Sequence, residues 1–330
     1  MRPKANPLAV WAGLLVLYLV WGSTYLGMKV AVDSIPPFVM GVFRFIPAGV
    51  ILTLVVLVRQ RGDVRRPTTR QVVDAAIVGG LLLVGGTGLV AAAEQTIPTG
   101  IAAVMIALVP MWLAVLGFVF YREPVRPLLA LGIGVGIAGV AILAWPAGGT
   151  GDLDPFGLTL VLVAPVSWAL GTLYAAKRAV LPGPALLASG IEMLAAGLAF
   201  VIVAAAVGEW TTFDAGAVTP ASWFGIAYLV TIGSLVGYTT FAWLITVAPL
   251  SRVSTYAYVN PVVAVILGFI VLGEPLTPRT AVASAVIVAA VALIVTARTR
   301  PGVSTAARAA ADAAPEPPVP ARATGTAGAP

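Results

Sequence analysis

Ten stretches of about twenty mainly apolar residues fix what this chain can fold into. They lie at 8–30, 37–58, 71–93, 98–120, 127–145, 155–177, 184–207, 221–246, 249–272 and 278–297. A helix needs roughly 20 such residues to cross a hydrocarbon core of about 30 Å. Closed barrels are the other spanning solution, but their strands alternate apolar and polar residues. Runs such as Ile77 to Val90 do not alternate. The chain therefore reads as an all-α membrane protein with ten transmembrane helices. Of its 330 residues 60% are hydrophobic and only 10% charged, so lipid is its expected main solvent. The first stretch is too long for a signal-peptide core and lacks a small-residue cleavage site, which makes it a retained helix.

The net charge of +6 is a topology signal. Arg2 and Lys4 precede segment 1, and Arg59, Arg61, Arg65, Arg66 and Arg70 lie between segments 2 and 3. Arg122 and Arg126 follow segment 4, Lys177 and Arg178 follow segment 6, Arg252 opens segment 9, and Arg298, Arg300, Arg308 and Arg322 follow segment 10. Sixteen of nineteen basic residues thus share one side of a ten-helix arrangement. Asp33, Asp152, Asp154, Glu209, Asp214 and Glu274 take the other. The positive-inside rule puts both termini in the cytoplasm of a cell-membrane protein. This placement argues against a nucleic-acid partner and leaves the bilayer and a small molecule.

Gly117-Phe118-Val119-Phe120-Tyr121-Arg122-Glu123-Pro124 returns 151 residues later as Gly268-Phe269-Ile270-Val271-Leu272-Gly273-Glu274-Pro275. The same offset matches Pro98 to Pro249 and Pro110 to Pro261. An internal duplication of five segments each is implied. Because five is odd, the halves insert with opposite orientation about an axis in the membrane plane, with a site near its centre. Residues 1–145 form the first repeat, 146–154 an external linker and 155–298 the second repeat. Residues 299–330, rich in Ala, Pro, Gly and Thr, read as a disordered cytoplasmic tail.

Pro110 and Pro261 each remove an intrahelical hydrogen bond, freeing the carbonyls of Ile106 and Ala257. Their equivalent positions suggest paired hinges, and simple packing kinks are the plain alternative. Arg252, Tyr256 and Asn260, four residues apart, form one polar face on segment 9. Trp21, Tyr25 and Lys29 form another on segment 1, with Thr24 beside them, and Trp168 and Thr172 a shorter version on segment 6. Lys29 is expected to snorkel to the interface; Glu94, at the end of segment 3, is a substrate-binding candidate for which solvation at the helix end is the plain reading and proton coupling the alternative. Glu123 and Glu274 read as caps or gate anchors. The glycines at 79, 80, 85, 86, 88, 132 and 136 allow close helix contact.

Trp21-Gly22-Ser23-Thr24-Tyr25, Trp168-Ala169-Leu170-Gly171-Thr172 and the two Glu-Pro copies resemble the EamA branch of the drug/metabolite transporter superfamily. Gly190-Ile191-Glu192-Met193-Leu194-Ala195-Ala196-Gly197 and Ser254-Thr255-Tyr256-Ala257-Tyr258-Val259-Asn260-Pro261 are similar to its YedA-like exporters. The resemblance covers all ten segments and excludes the tail. It implies an inner-membrane carrier of small metabolites, with a cavity lined mainly by segments 1–4 and 6–9. Tyr238 on segment 8 joins the candidate lining.

Aligning Ala48-Gly49 with Ala196-Gly197 superposes Arg44 on Glu192, two charges deep in equivalent segments. A charge near the bilayer centre marks a functional site by default and usually has a partner. The pair is either a structural lock between segments 2 and 7 or a reader of opposite ends of a zwitterion. With no Cys or His, no carboxylate pair and no phosphate loop, neither an enzyme nor a resident cofactor or metal is expected. The reading is a secondary transporter exporting small amphipathic, amino-acid-like or drug-like metabolites by alternating access. An uptake carrier stays open as the alternative, as does an intramembrane enzyme. Monomer and homodimer are both compatible with the sequence.

Overall fold

A computed structural model describes residues 6–59, 65–125, 127–144, 153–248, 250–253 and 255–299. Residues 146–152 of the expected linker, the tail from 300, Pro249, Ser254 and the basic residues Arg2, Lys4, Arg61, Arg126, Arg300, Arg308 and Arg322 lie outside them. The described residues are helical throughout their ordered elements. These are α1 (Pro7–Val32), α2 (Pro37–Arg59), α3 (Thr69–Ala93), α4 (Thr99–Tyr121), α5 (Pro127–Ala144), α6 (Pro155–Lys177), α7 (Ala185–Ala206), α8 (Pro220–Val247), α9 (Tyr256–Leu272) and α10 (Pro278–Thr299). Eight of them are long and apolar enough to cross a membrane, while α5 and α9 are shorter apolar helices.

The starts follow local chemistry. Four helix N–H groups lack intrahelical partners, and a polar side chain one step upstream takes one. Asn6 Oδ1 accepts from Leu8 N–H (3.0 Å), Asp154 Oδ2 from Gly157 N–H (2.7 Å) and Thr219 Oγ1 from Ser222 N–H (3.2 Å). In each case the next residue is a proline, which needs no partner for its nitrogen. Thr68 and Gln71 form a reciprocal capping box at α3.

Three departures from regular α-helix shape the interior. In α3, Gly80–Gly88 is π-helical, and in α8 so is Leu229–Val236, which begins 149 residues later. Helix α4 is interrupted at Ala107–Leu108, just before Pro110. The ninth apolar segment is not one helix from 249 as the sequence suggested. A short turn, Leu250–Val253, precedes α9, which starts only at Tyr256 and carries Pro261 inside it. The expected face of Arg252, Tyr256 and Asn260 is therefore broken. Arg252 sits on the separate turn, with its guanidinium 5.7 Å from the Trp11 ring.

Helices α2 and α7 form the densest pair. A Cβ on Gly49 would meet Leu194 at 2.8 Å, one on Gly197 would meet Ile46 Cγ1 at 2.5 Å, and one on Gly190 would meet Thr53 Oγ1 at 2.5 Å. Only glycine permits that approach, as expected for helices held by close packing in lipid. Around this pair α1 packs on α8 and α9, α6 on α3 and α4, α2 on α8, and α7 on α3. The first half of α4 packs on α9, and its second half turns to α6. Exchanging α1 with α6, α2 with α7, α3 with α8 and α4 with α9 converts this set of contacts into itself. Helices α5 and α10 meet where Gly132 faces Ile294 and Gly139 faces Ile287.

Charge segregates along the bundle. Asp33, Asp154, Glu209 and Glu274 gather at one end, where Glu209 accepts from Phe38 and Val39 N–H (both 2.9 Å). Arg59, Arg70, Arg122, Lys177 and Arg252 gather at the other. There Asp74 accepts from Tyr174 Oη and Val180 N–H, both at 2.7 Å.

Candidate functional site

The interior between the two halves holds a connected set of polar and aromatic side chains. Arg44 on α2 is buried. Its Nε lies 3.4 Å from Ser234 Oγ, in the π segment of α8, and its guanidinium lies 4.8 Å from the Phe45 ring. Its Nη1 is buried without a hydrogen-bond partner. Glu94, at the end of α3, has no exposed surface, and both carboxylate oxygens lack a hydrogen-bond partner. The expected solvated carboxylate is thus a fully buried one.

Lys29 does not snorkel either. Its Nζ donates to the backbone carbonyls of Glu94 and Gln95, the negative end of α3, and so leaves the Glu94 carboxylate unbonded. Tyr25, one turn before Lys29 on α1, is half-buried. Glu192, on α7, is half-buried, with its backbone against Gly79 of α3.

An aromatic group closes the set toward the basic end. The Trp21 ring centroid lies 5.8 Å from Tyr238, 5.2 Å from Phe241 and 5.0 Å from Tyr256, with the two tyrosines edge-on. A Cβ on Gly237 would fall 2.5 Å from Trp21 Nε1, so the π segment of α8 ends where the indole needs room. Trp168 repeats this on the other half, packed over Gly86 in the π segment of α3. Asn260 on α9 is 8% exposed, and its Oδ1 is buried without a partner.

Not every candidate belongs to the set. Thr24 Oγ1 donates to the Trp21 carbonyl (2.7 Å) and Thr172 Oγ1 to that of Trp168 (2.8 Å), so both hydroxyls are satisfied within their own helices. Arg44 and Glu192 make no ion pair, so the structural lock is absent. The α2–α7 register explains why. With Ile46 opposite Gly197 and Thr53 opposite Gly190, Arg44 faces the level of residue 199, seven residues or roughly 10 Å from Glu192. Ser234 and Phe241 were missed by the sequence reading. A serine inside an apolar run was the available signal for the first, and Phe241 gave none.

The EamA-like transporter family model matches this chain twice, over residues 9–145 and 155–296. The chain is 37% identical over 289 residues to the uncharacterized inner membrane transporter YedA of Escherichia coli (strain K12), covering 87% of this chain and 90% of that one. It is 28% identical over 290 residues to a probable terminal-alkyne amino-acid exporter of Streptantibioticus cattleyicolor, covering 87% and 93%. A protein crystal structure aligns with a TM-score of 0.57 at 20% identity over 87% of this chain and 96% of the other, a likeness of fold. These relatives carry transporter names, and with its apolar helices and two family matches the chain belongs to the EamA-like transporter family of multi-pass membrane proteins.

Proposed function

We propose that the protein exports a small zwitterionic, amphipathic metabolite by alternating access, and that its ten helices form two inverted five-helix repeats. The double family match, the exchangeable helix contacts and the π segments 149 residues apart support the repeat reading. The segregation of basic residues supports cytoplasmic termini. A reporter fused after Arg66 is expected to read as internal and one after Asp154 as external, and the reverse at either point would invert the topology.

One observation carries the functional reading: Arg44 and Glu94, opposite charges from different helices, are both buried, and each keeps polar atoms without a hydrogen-bond partner. Buried polar groups without partners are costly, and a substrate carrying both charges relieves both. Arg44 receives the substrate's anionic group, for which a guanidinium offers a fixed fork of donors. Glu94 receives its cationic group, and the aromatic set of Trp21, Tyr238, Phe241 and Tyr256 covers the apolar part. Tyr25, Glu192 and Asn260 line the same space; Trp168, Thr24 and Thr172 shape its walls. The amino-acid exporter among the relatives supports both the substrate class and the outward direction.

The test is transport of a panel of zwitterionic amino acids by protein in proteoliposomes. A charged hydrogen bond contributes about 1.5–3 kcal/mol, so Arg44→Ala and Glu94→Gln should each lower transport roughly 10- to 150-fold while folded protein remains in the membrane. Wild-type transport by both variants would remove the site. Loading the lipid vesicles on one side at a time separates export from uptake.

A further inference from the structure

The duplicated Gly-x5-Glu-Pro stretch folds into the same corner twice. After α4, Arg122 takes a left-handed conformation (φ 53°), and Glu123 N–H turns back to the Gly117 carbonyl at 3.2 Å. After α9, Gly273 does the same (φ 65°), and Glu274 N–H reaches the Gly268 carbonyl at 3.1 Å. In both corners the carboxylate lies back over the glycine six residues earlier. A Cβ on Gly117 would fall 2.8 Å from Glu123 Oε2, and one on Gly268 would collide with Glu274 Oε2. The glycine is there to seat the carboxylate.

The use of one seated carboxylate is visible. Helix α4 begins after Pro98, which has no side-chain acceptor, and nothing local caps the helix. Glu274 supplies the cap from the other half of the chain. Its Oε1 accepts from Thr99 N–H at 2.7 Å and its Oε2 from Gly100 N–H at 3.2 Å. Charge-assisted bonds of this kind are roughly twice as strong as neutral ones, and the helix N-terminus favours the anion further. Gly100 at this point rests against Val265 of α9. Glu274 thus fastens the two halves of the chain at the acidic end, where Glu209 also joins them through Phe38 and Val39.

The offset of 151 residues assigns Glu123 the corresponding turn at the basic end, Leu250–Ser251, which also follows a proline, Pro249. Here Glu123 Oε1 lies 2.8 Å from Lys177 Nζ. We propose that Glu274 and Glu123 are a pair of latches. Each fastens the first turn of the opposite half's interrupted helix at its own end of the bundle, and the two open in turn during transport. This rests on the alternating-access reading above.

The chain has no cysteine, so one introduced thiol reports cleanly. Ile101→Cys places it at a buried site beside Glu274, in a small cavity lined also by Pro98, Val265 and Phe269. In proteoliposomes, a membrane-impermeant maleimide applied from the acidic-end side measures opening there. Adding Glu274→Ala should raise the labelling rate at least tenfold. Glu274→Gln, which keeps the corner's shape and an acceptor oxygen, should raise it less. Adding Glu123→Ala should lower it, because the conformation closed at the basic end loses its fastener. Unchanged labelling with Glu274→Ala, or a rise with Glu123→Ala, overturns the latches. Labelling needs no substrate, so wild-type transport by the Arg44 variant would refute the zwitterion site and leave this result standing.

Discussion

The Phe200 ring occupies the space that a side chain on Gly41 would need: a Cβ there would fall 2.7 Å from three of its ring atoms. The same ring stacks on Phe45 at 5.7 Å and 5°, and covers Gly88 of α3. One side chain thus joins α7, α2 and α3. Lipid tails are as apolar as phenylalanine, so this contact stabilises through fit between surfaces more than through exclusion of water. Gly41→Val overpacks the joint and should cost about 1–3 kcal/mol, read as a lower melting temperature in detergent. Adding Phe200→Ala should recover part of that loss, as contacting positions do not add independently. A stable Gly41→Val, or no recovery in the double variant, would show that the ring moves aside freely.

Arg122 and Gly273 occupy equivalent left-handed positions, but only one is a glycine. A side chain there pushes Cβ toward the carbonyl, at about 1 kcal/mol or more. Arg122→Gly is therefore expected to stabilise the fold by about 1 kcal/mol, and Gly273→Ala to destabilise it by a similar amount. Thermal unfolding of the two variants should move in opposite directions. A stabilising Gly273→Ala would contradict the left-handed corner.

The two prolines at equivalent sequence positions stand in different local structures. Pro110 is the second residue of a fresh helical stretch after the gap at Ala107–Leu108, whereas Pro261 lies within continuous α9, which starts only after Thr255. Pro110→Ala returns an N–H for the Ile106 carbonyl and favours closing the α4 interruption. Pro261→Ala returns one for Ala257 and favours straightening α9 without touching its gap. If the interruptions are hinges, labelling of a reporter cysteine from the two membrane sides shifts in opposite senses for the two variants. Equal shifts, or none, would leave the prolines as packing kinks.

The helix ends were legible to within two residues for nine of the ten segments, because capping side chains, prolines and the limits of apolar runs are local signals. The ninth failed, since Tyr256 and Asn260 continue the periodicity of Arg252 across a gap that no residue type announces. Trp21, Tyr25, Arg44, Tyr238 and Tyr256 could be nominated because large aromatic or charged groups inside apolar runs stand out. Where each one points could not.

The sequence by itself determined the apolar helices, the placement of charges along the chain and the family. All of these depend on residue type and spacing along one chain. Only the tertiary structure decided that Arg44 meets Ser234 and makes no ion pair with Glu192, that Lys29 bonds the carbonyl end of α3, and that Glu94 is shut away from water. Those outcomes depend on the sliding register between helices. That register is set by glycine-to-side-chain contacts such as Gly197 with Ile46, and by π segments that re-aim half of α3 and of α8. A shift of seven residues along a helix moves a charge by roughly 10 Å, enough to exchange one partner for another without changing any single-helix pattern.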